Sequence, residues 1–236
     1  MFYFEKFNFG EILKSDLLDS AFFTTRTTCI RSQEYEMQQK IAENYSQIKN
    51  YLGVEKLISP TQTHSTNIEL VRYEKEDYPE VDAFILTDKR VGIFLNFADC
   101  TPIILYDSTK NIGAIAHAGW RGTAGKIVQK TVRYMVENYD CEPSDIVALI
   151  GPCIDKCCFE VGEDVFEKLY STVGLDGLND KTFADLKEIN RLQLMQVGVQ
   201  RIDICPYCTV CDNDKFFSYR KENGITSRHS AILKLN

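Results

Sequence analysis

Apolar residues recur along this chain at two periods, alternating with polar ones in some stretches and returning every three to four positions in others. Phe2 to Phe7 alternates aromatic and polar residues as an opening strand, and Ala21 to Arg26 is a second apolar run. From Gln33 to Leu52 polar residues dominate, with Ile41, Tyr45, Ile48 and Leu52 at helical spacing and Gly53 as a stop. Leu57-Ile58, Ile68 to Tyr73 and Val81 to Leu86 read as strands, the last two separated by a solvated acidic loop, Glu74 to Glu80. Val91 to Phe97, Pro102 to Tyr106 and Asn111 to Ala116 follow, Pro102 suiting a strand start because it has no amide proton to donate. After Gly122, Val128, Val132, Met135, Val136 and Tyr139 form one helical stripe. Ile146 to Ile150 is a strand, and Asp164 to Val173 and Asp185 to Val197 are helical, the second ended by Gly198. Val199 to Ile204, Phe216 to Tyr219 and Ala231 to Leu235 complete the strands. Because helices and strands interleave without strict alternation, the expected fold is α/β (α+β). It is a single domain over residues 1–236, with mixed β-sheet layers flanked by helices.

Composition narrows the function classes. With 236 residues, 44% apolar and 26% charged, the chain can bury a sizeable core. A net charge of −7 argues against a nucleic-acid surface, which needs basic clusters, and the mixed stretch Arg220 to Arg228 does not change that. No apolar run approaches the ~20 residues of a membrane span. The opening residues lack a basic segment followed by a long apolar one, so a cytoplasmic protein without membrane or nucleic-acid partners is expected. Nine cysteines without a secretory signal then read as reduced thiols.

The chemistry concentrates between Asn96 and Val136. Cys100 closes one apolar run, His117 closes another, and Gln62-Thr63-His64 upstream offers a third ligand; two of the three histidines therefore lie in these motifs. Three such groups can form a His₂Cys site with a fourth position open, the arrangement of catalytic zinc. Arg121, between glycines ahead of a helix, has the setting of an anion site, with Arg220 and Arg228 as similar candidates. Against each stands a plainer role: a core histidine, a surface arginine at a turn. The run Cys205-Pro206-Tyr207-Cys208-Thr209-Val210-Cys211 can hold zinc or part of an iron–sulfur cluster, with Cys153, Cys157 and Cys158 in reserve; it is read here as spare reduced thiols.

The motifs QTH (62–64), ADC (98–100), HAGWRG (117–122), IGPCI (150–154), CFEVG (158–162), CT (208–209) and FFSYR (216–220) resemble, in order, those of the bacterial laccase-like "polyphenol oxidase" family, related to the mammalian laccase-domain-containing protein. The likeness runs from about residue 21 onward. Departures are Thr27-Thr28 for a glycine pair, Phe97 before ADC and TSR (226–228) for TGR. The resemblance implies zinc-containing purine nucleoside phosphorylases with a fold similar to toxin deamidases and cysteine hydrolases. It implies metal ligation by His64, Cys100 and His117, with copper only as an adventitious substitute. Adenosine, inosine, guanosine or methylthioadenosine would be split by phosphate, and adenosine would also be deaminated. Catalysis would fall to Cys100, His117 and Asp99, the last moving a proton, and substrate or phosphate binding to Arg121, Arg220, Arg228 and Gln62. Three histidines cannot build the copper cluster of a multicopper oxidase, so laccase chemistry is not expected. The alternative is a metal-independent hydrolase or deamidase with a Cys100–His117 dyad, which leaves His64 without a role.

Overall fold

A computed structural model describes residues 1–32, 34–175, 182–224 and 227–236; Gln33, at the head of the expected first helix, and Thr226 of the TSR motif lie outside them. Two six-stranded mixed sheets pack face to face. The first has the order β1(Phe2–Phe7), β2(Gly10–Ser15), β3(Leu18–Thr24), β12(His229–Leu233), β7(Val91–Phe97), β4(Lys56–Ile58). The second runs β11(Arg201–Ile204), β10(Ile146–Ile150), β8(Thr101–Asp107), β9(Ile112–Ala118), β6(Ala83–Leu86), β5(Ile68–Leu70). Pairing is antiparallel except for β4 with β7, β10 with β11, and β5 with β6.

The period-two pattern sorts each strand's side chains between layers. Leu13, Phe23, Ile93, Leu95 and Leu233 of the first sheet meet Phe84, Ile104, Ile115 and Leu149 of the second in the central core. On the outer face of the first sheet Ile12, Phe22, Phe94 and Ile232 pack on Ile48 and Leu52 of α1(Gln38–Leu52). Beyond the second sheet, Ile103, Leu105, Ala114 and Ala116 meet Val128, Val132 and Met135 of α3(Ile127–Tyr139) and Leu194 of α5(Leu186–Gln196). Strands β8, β9 and β12 are buried along their whole length, which is why they read as continuous apolar runs. No helix among the described residues is long and apolar enough to cross a membrane.

Three expectations need correction. Strand β2 was not foreseen, because Glu11 and Lys14 interrupt its apolar pattern; it pairs back onto β1 through a turn that ends on Gly10 at φ +127°, where a Cβ would stand 2.7 Å from Thr28 Cγ2. Phe216 to Tyr219 is a set of turns and bends, not a strand. Phe216 is buried against Phe4, Tyr207 and His229, and Arg26 Nε holds the carbonyls of Asn213 and Phe216 at 2.5 and 3.1 Å, so a side-chain donor replaces a ladder partner. The stretch after His117 does not wait until Gly122 to become helical. A short helix, α2(Trp120–Ala124), begins at once, and Lys126 at φ +57° breaks it from α3.

Candidate functional site

The chain passes from the first sheet to the second in two places, and each crossing carries a candidate ligand. One crossing joins β4 to β5 and includes His64, at φ +61°; the other joins β7 to β8 through Ala98-Asp99-Cys100, with Asp99 at φ +85°. The third group, His117, lies near the end of β9 on the same side as Ile115, so its ring enters the space between the sheets and meets Phe97 at 5.3 Å. The ligand atoms of His64, Cys100 and His117 all lie within 4.8 Å of one another.

Asp82 fixes this arrangement. The β6–β9 register pairs Ala83 with Ala116, which sets Asp82 opposite His117. The His117 amide donates to the Asp82 carbonyl at 2.7 Å, and His117 Nδ1 meets Asp82 Oδ1 at 2.8 Å, leaving Nε2 to face the cluster. The same carboxylate accepts the backbone N–H groups of Thr63, His64 and Ser65 at 3.2, 3.1 and 2.7 Å and the Ser65 hydroxyl at 2.7 Å. One buried carboxylate thus orients one ligand and pins the strained loop that carries another. Burial pushes Asp82 upward, but the hydrogen bonds from His117 and Ser65 outweigh it and hold the carboxyl at about 2. Burial likewise opposes ionisation of Cys100 and His117, yet their mutual attraction prevails. The thiol is drawn down to about 6 and the imidazole, backed also by Asp82, up to about 9.

Room for an ion comes from Gly119: a Cβ there would stand 2.7 Å from Cys100 Sγ and 3.5 Å from His64 Cδ2. Two imidazoles and a thiolate suit zinc, and His117 has the carboxylate partner that metal-bound histidines usually carry. The donor set therefore fits a zinc ion with one side open. It does not fit a multicopper centre, because the third histidine, His229, is buried with Nε2 facing the Pro152 carbonyl at 3.3 Å.

The open side faces a cavity of about 700 Å³, lined by Gln62, Asp99, Ile154, Phe159 and Tyr219, with Arg31, Arg220 and Arg228 among its walls. Arg121 is not among the lining residues. It is exposed in the first turn of α2, its guanidinium 4.3 Å from the Trp120 ring centre, because the turn that should have presented it is already helical. Arg220 lies by the Phe159 ring and donates to the carbonyls of Cys158 and Glu160 at 3.4 and 3.2 Å; the Arg228 guanidinium donates to the Ser227 carbonyl at 2.9 Å. Gln62 holds the Asn96 backbone at both ends of its amide, at 2.9 and 2.8 Å. Both carboxylate oxygens of Asp99 are engaged at 2.7 Å, one by the Thr209 hydroxyl and one by the Arg220 N–H, so Asp99 ties two distant loops to the crossing beside Cys100.

Sequence reasoning missed Asp82, Arg31, Phe159 and Tyr219. For Asp82 a signal existed: a lone acid at the head of the apolar run Val81 to Leu86. Phe159 and Tyr219 stood inside quoted motifs without a role, and nothing local marked Arg31.

Comparison with known proteins adds four findings. Residues 21–236 match the family described as multi-copper polyphenol oxidoreductase laccase. A Bacteroides thetaiotaomicron protein named purine nucleoside phosphorylase is 34% identical over 203 residues, 78% of this chain and 73% of the relative. A protein from an unknown prokaryotic organism, named adenosine deaminase RL5, is 35% identical over 190 residues, 72% of each. The crystal structure of YlmD from Geobacillus stearothermophilus superposes with a TM-score of 0.87 at 27% identity, over 99% of this chain and 98% of that one.

Proposed function

Since the chain belongs to the multi-copper polyphenol oxidoreductase laccase family, yet lacks the histidines for copper-cluster chemistry, we propose that it is a zinc-dependent purine nucleoside phosphorylase that also deaminates adenosine. Its substrates on this reading are adenosine, inosine, guanosine or methylthioadenosine, with phosphate as co-substrate, and its setting is the cytoplasm, in keeping with nine free cysteines. One observation carries the reading: three convergent metal ligands open onto a nucleoside-sized cavity that also has three arginines in its walls. The names of the relatives support both halves of the activity.

His64, Cys100 and His117 would hold the zinc, which when bound supplies a Lewis acid and a means of activating water. The remaining work belongs to the chain. Phe159 and Tyr219 offer flat apolar surface to the purine. Arg31, Arg220 and Arg228 present positive charge to phosphate, with Arg220 and Arg228 preferred over Arg121 because they line the cavity. In phosphorolysis a phosphate oxygen bonds to the anomeric carbon as the bond to the base nitrogen breaks; the departing base takes that electron pair and a proton. In deamination water adds to the amino-bearing purine carbon, ammonia departs, and the keto base remains. Asp99, with both oxygens occupied, acts as a positioning residue in this scheme.

A second reading keeps one specific observation. Cys100, His117 and Asp82 stand in the order of a nucleophile, its base and an orienting acid. Incubating zinc-loaded protein with adenosine, with and without phosphate, and identifying the products decides between them. The proposal expects adenine and ribose 1-phosphate with phosphate, inosine without it, and loss of both on chelation. Activity that survives metal removal but not alkylation of Cys100 would favour the triad.

A further inference from the structure

Four thiols that the cavity leaves idle meet on its outer wall. Cys157 and Cys158 lie in a turn after β10, and Cys208 and Cys211 in the loop after β11. Their Sγ atoms all lie within 4.8 Å of one another. The separations are 3.5 Å for Cys157–Cys158, 3.7 Å for Cys157–Cys211 and 3.5 Å for Cys158–Cys211. Four sulfurs around a tetrahedral zinc at ~2.3 Å would stand ~3.8 Å apart, so the set is close to that shape. The spacing is far from the ~2.05 Å of a disulfide, and all nine cysteines are free. Cys205 and Cys153, which sequence spacing alone would recruit, are buried and stand outside the cluster.

Backbone donors already gather on one of these sulfurs. Cys208 Sγ accepts the Asp155 N–H at 3.4 Å, and the N–H groups of Val210 and Cys211 also point at it. A parallel bridge between Cys153 and Cys208, with the Thr209 N–H on the Cys153 carbonyl at 3.0 Å, sets the register of the two loops.

We propose that Cys157, Cys158, Cys208 and Cys211 bind a second zinc ion as a closed tetrathiolate site, separate from His64, Cys100 and His117. Binding releases four thiol protons and forms four metal–sulfur bonds, leaving a unit of charge −2 with no position for substrate. Its role is that of a staple. Thr209, between two of the ligands, donates to Asp99, and the Cys158 carbonyl accepts from Arg220, so the ion holds the loops that fix two cavity residues.

Metal analysis of the whole 236-residue chain, purified under reducing conditions without chelator, tests this. Wild type is expected to hold about two zinc ions per chain. Cys157→Ser/Cys211→Ser should hold about one, and Cys100→Ala should lose the other one while keeping the tetrathiolate ion. Since Cys157 and Cys211 are exposed, the double variant should remain folded by circular dichroism. If it does not, cobalt-exchanged wild type still decides, because four thiolates give strong sulfur-to-metal charge-transfer absorption beyond that of a single one. Wild type with one zinc that the double variant retains would overturn the proposal. So would a disulfide among these four cysteines in the wild-type protein, detected by mass.

Discussion

His64 and Cys100 stand where the chain crosses between sheets and His117 near the end of β9, backed by ladder hydrogen bonds and a buried carboxylate. Cys157, Cys158, Cys208 and Cys211 stand on two outer loops outside any strand ladder, joined by an isolated bridge and by Lys187, which donates to Asp155 and to the Tyr207 carbonyl. The first set offers three ligands and an open side on a cavity; the second offers four and no opening. Scaffolding and ligand number vary together for a physical reason. Three ligands that must leave one direction free need rigid positions imposed from outside, whereas four sulfurs that surround an ion are positioned by the ion itself.

The sharpest way to break this contrast is to remove one sulfur from each set. Cys100→Ala should lower phosphorolysis and deamination at least ~1,000-fold, since several kcal/mol of charge stabilisation depend on the metal it would hold. Cys211→Ser should leave both within about tenfold, raising KM more than it lowers kcat. Steady-state rates on the two variants would erase the distinction if the losses matched. The role of the carboxylate can be isolated next. Asp82→Asn should weaken zinc binding at the His/Cys site by roughly 10–100-fold, measured by competition with a chromophoric chelator, and leave the tetrathiolate affinity unchanged.

Smaller effects sharpen the picture within the cavity. Arg220→Ala should raise KM for phosphate about tenfold or more, as a charge-assisted contact worth roughly 1.5–3 kcal/mol requires, while sparing deamination. Arg121→Ala should change neither appreciably, because that side chain lies over Trp120 outside the cavity. An effect on stability, not on catalysis, separates the third histidine from the other two. Burial, with Arg228 and Arg26 nearby and only the Pro152 carbonyl in its favour, pulls His229 down to about 3. The unfolded chain takes up that proton near the usual value of about 6.5 and the folded chain does not, so stability falls as pH drops from 6.5 towards 3. Between pH 6.5 and 5.5 the loss should be about 1 kcal/mol greater in wild type than in His229→Gln, read from denaturant unfolding of both.

Some of this was legible in the sequence for identifiable reasons. Strands β1, β7 and β10 begin and end where their apolar patterns do; Asp145 and Gly151 bound β10 at both ends, and Arg90 precedes β7. The convergence of His64, Cys100 and His117 could be suspected because each follows or ends an apolar run, and a strand end is where a side chain reaches a cavity. The sequence marks Asp82 only as a lone acid at the head of an apolar run, which usually means solvent; the register of β6 against β9 is what puts it beneath His117. The cysteines show the opposite failure. Their spacing drew Cys205, Cys208 and Cys211 together, but Cys205 continues from β11 into the core, and the turn after β10 contributes Cys157 and Cys158 instead. Arg121 failed through its glycines, which serve a close approach to Cys100 at Gly119 and to the His117 carbonyl at Gly122.

The position of β12 has a bearing on how the chain comes to be folded. This last strand lies in the middle of the first sheet, hydrogen-bonded to β3 on one side and β7 on the other. A nascent chain that has emerged only as far as β11 holds two apolar strand edges with nothing between them, across a sequence separation that makes closure slow. During that interval β3 and β7 can recruit a strand from another molecule as readily as their own. The demand on chaperones should therefore persist until β12 emerges, and the sheet that carries one wall of the cavity is completed only when residues 229–233 arrive.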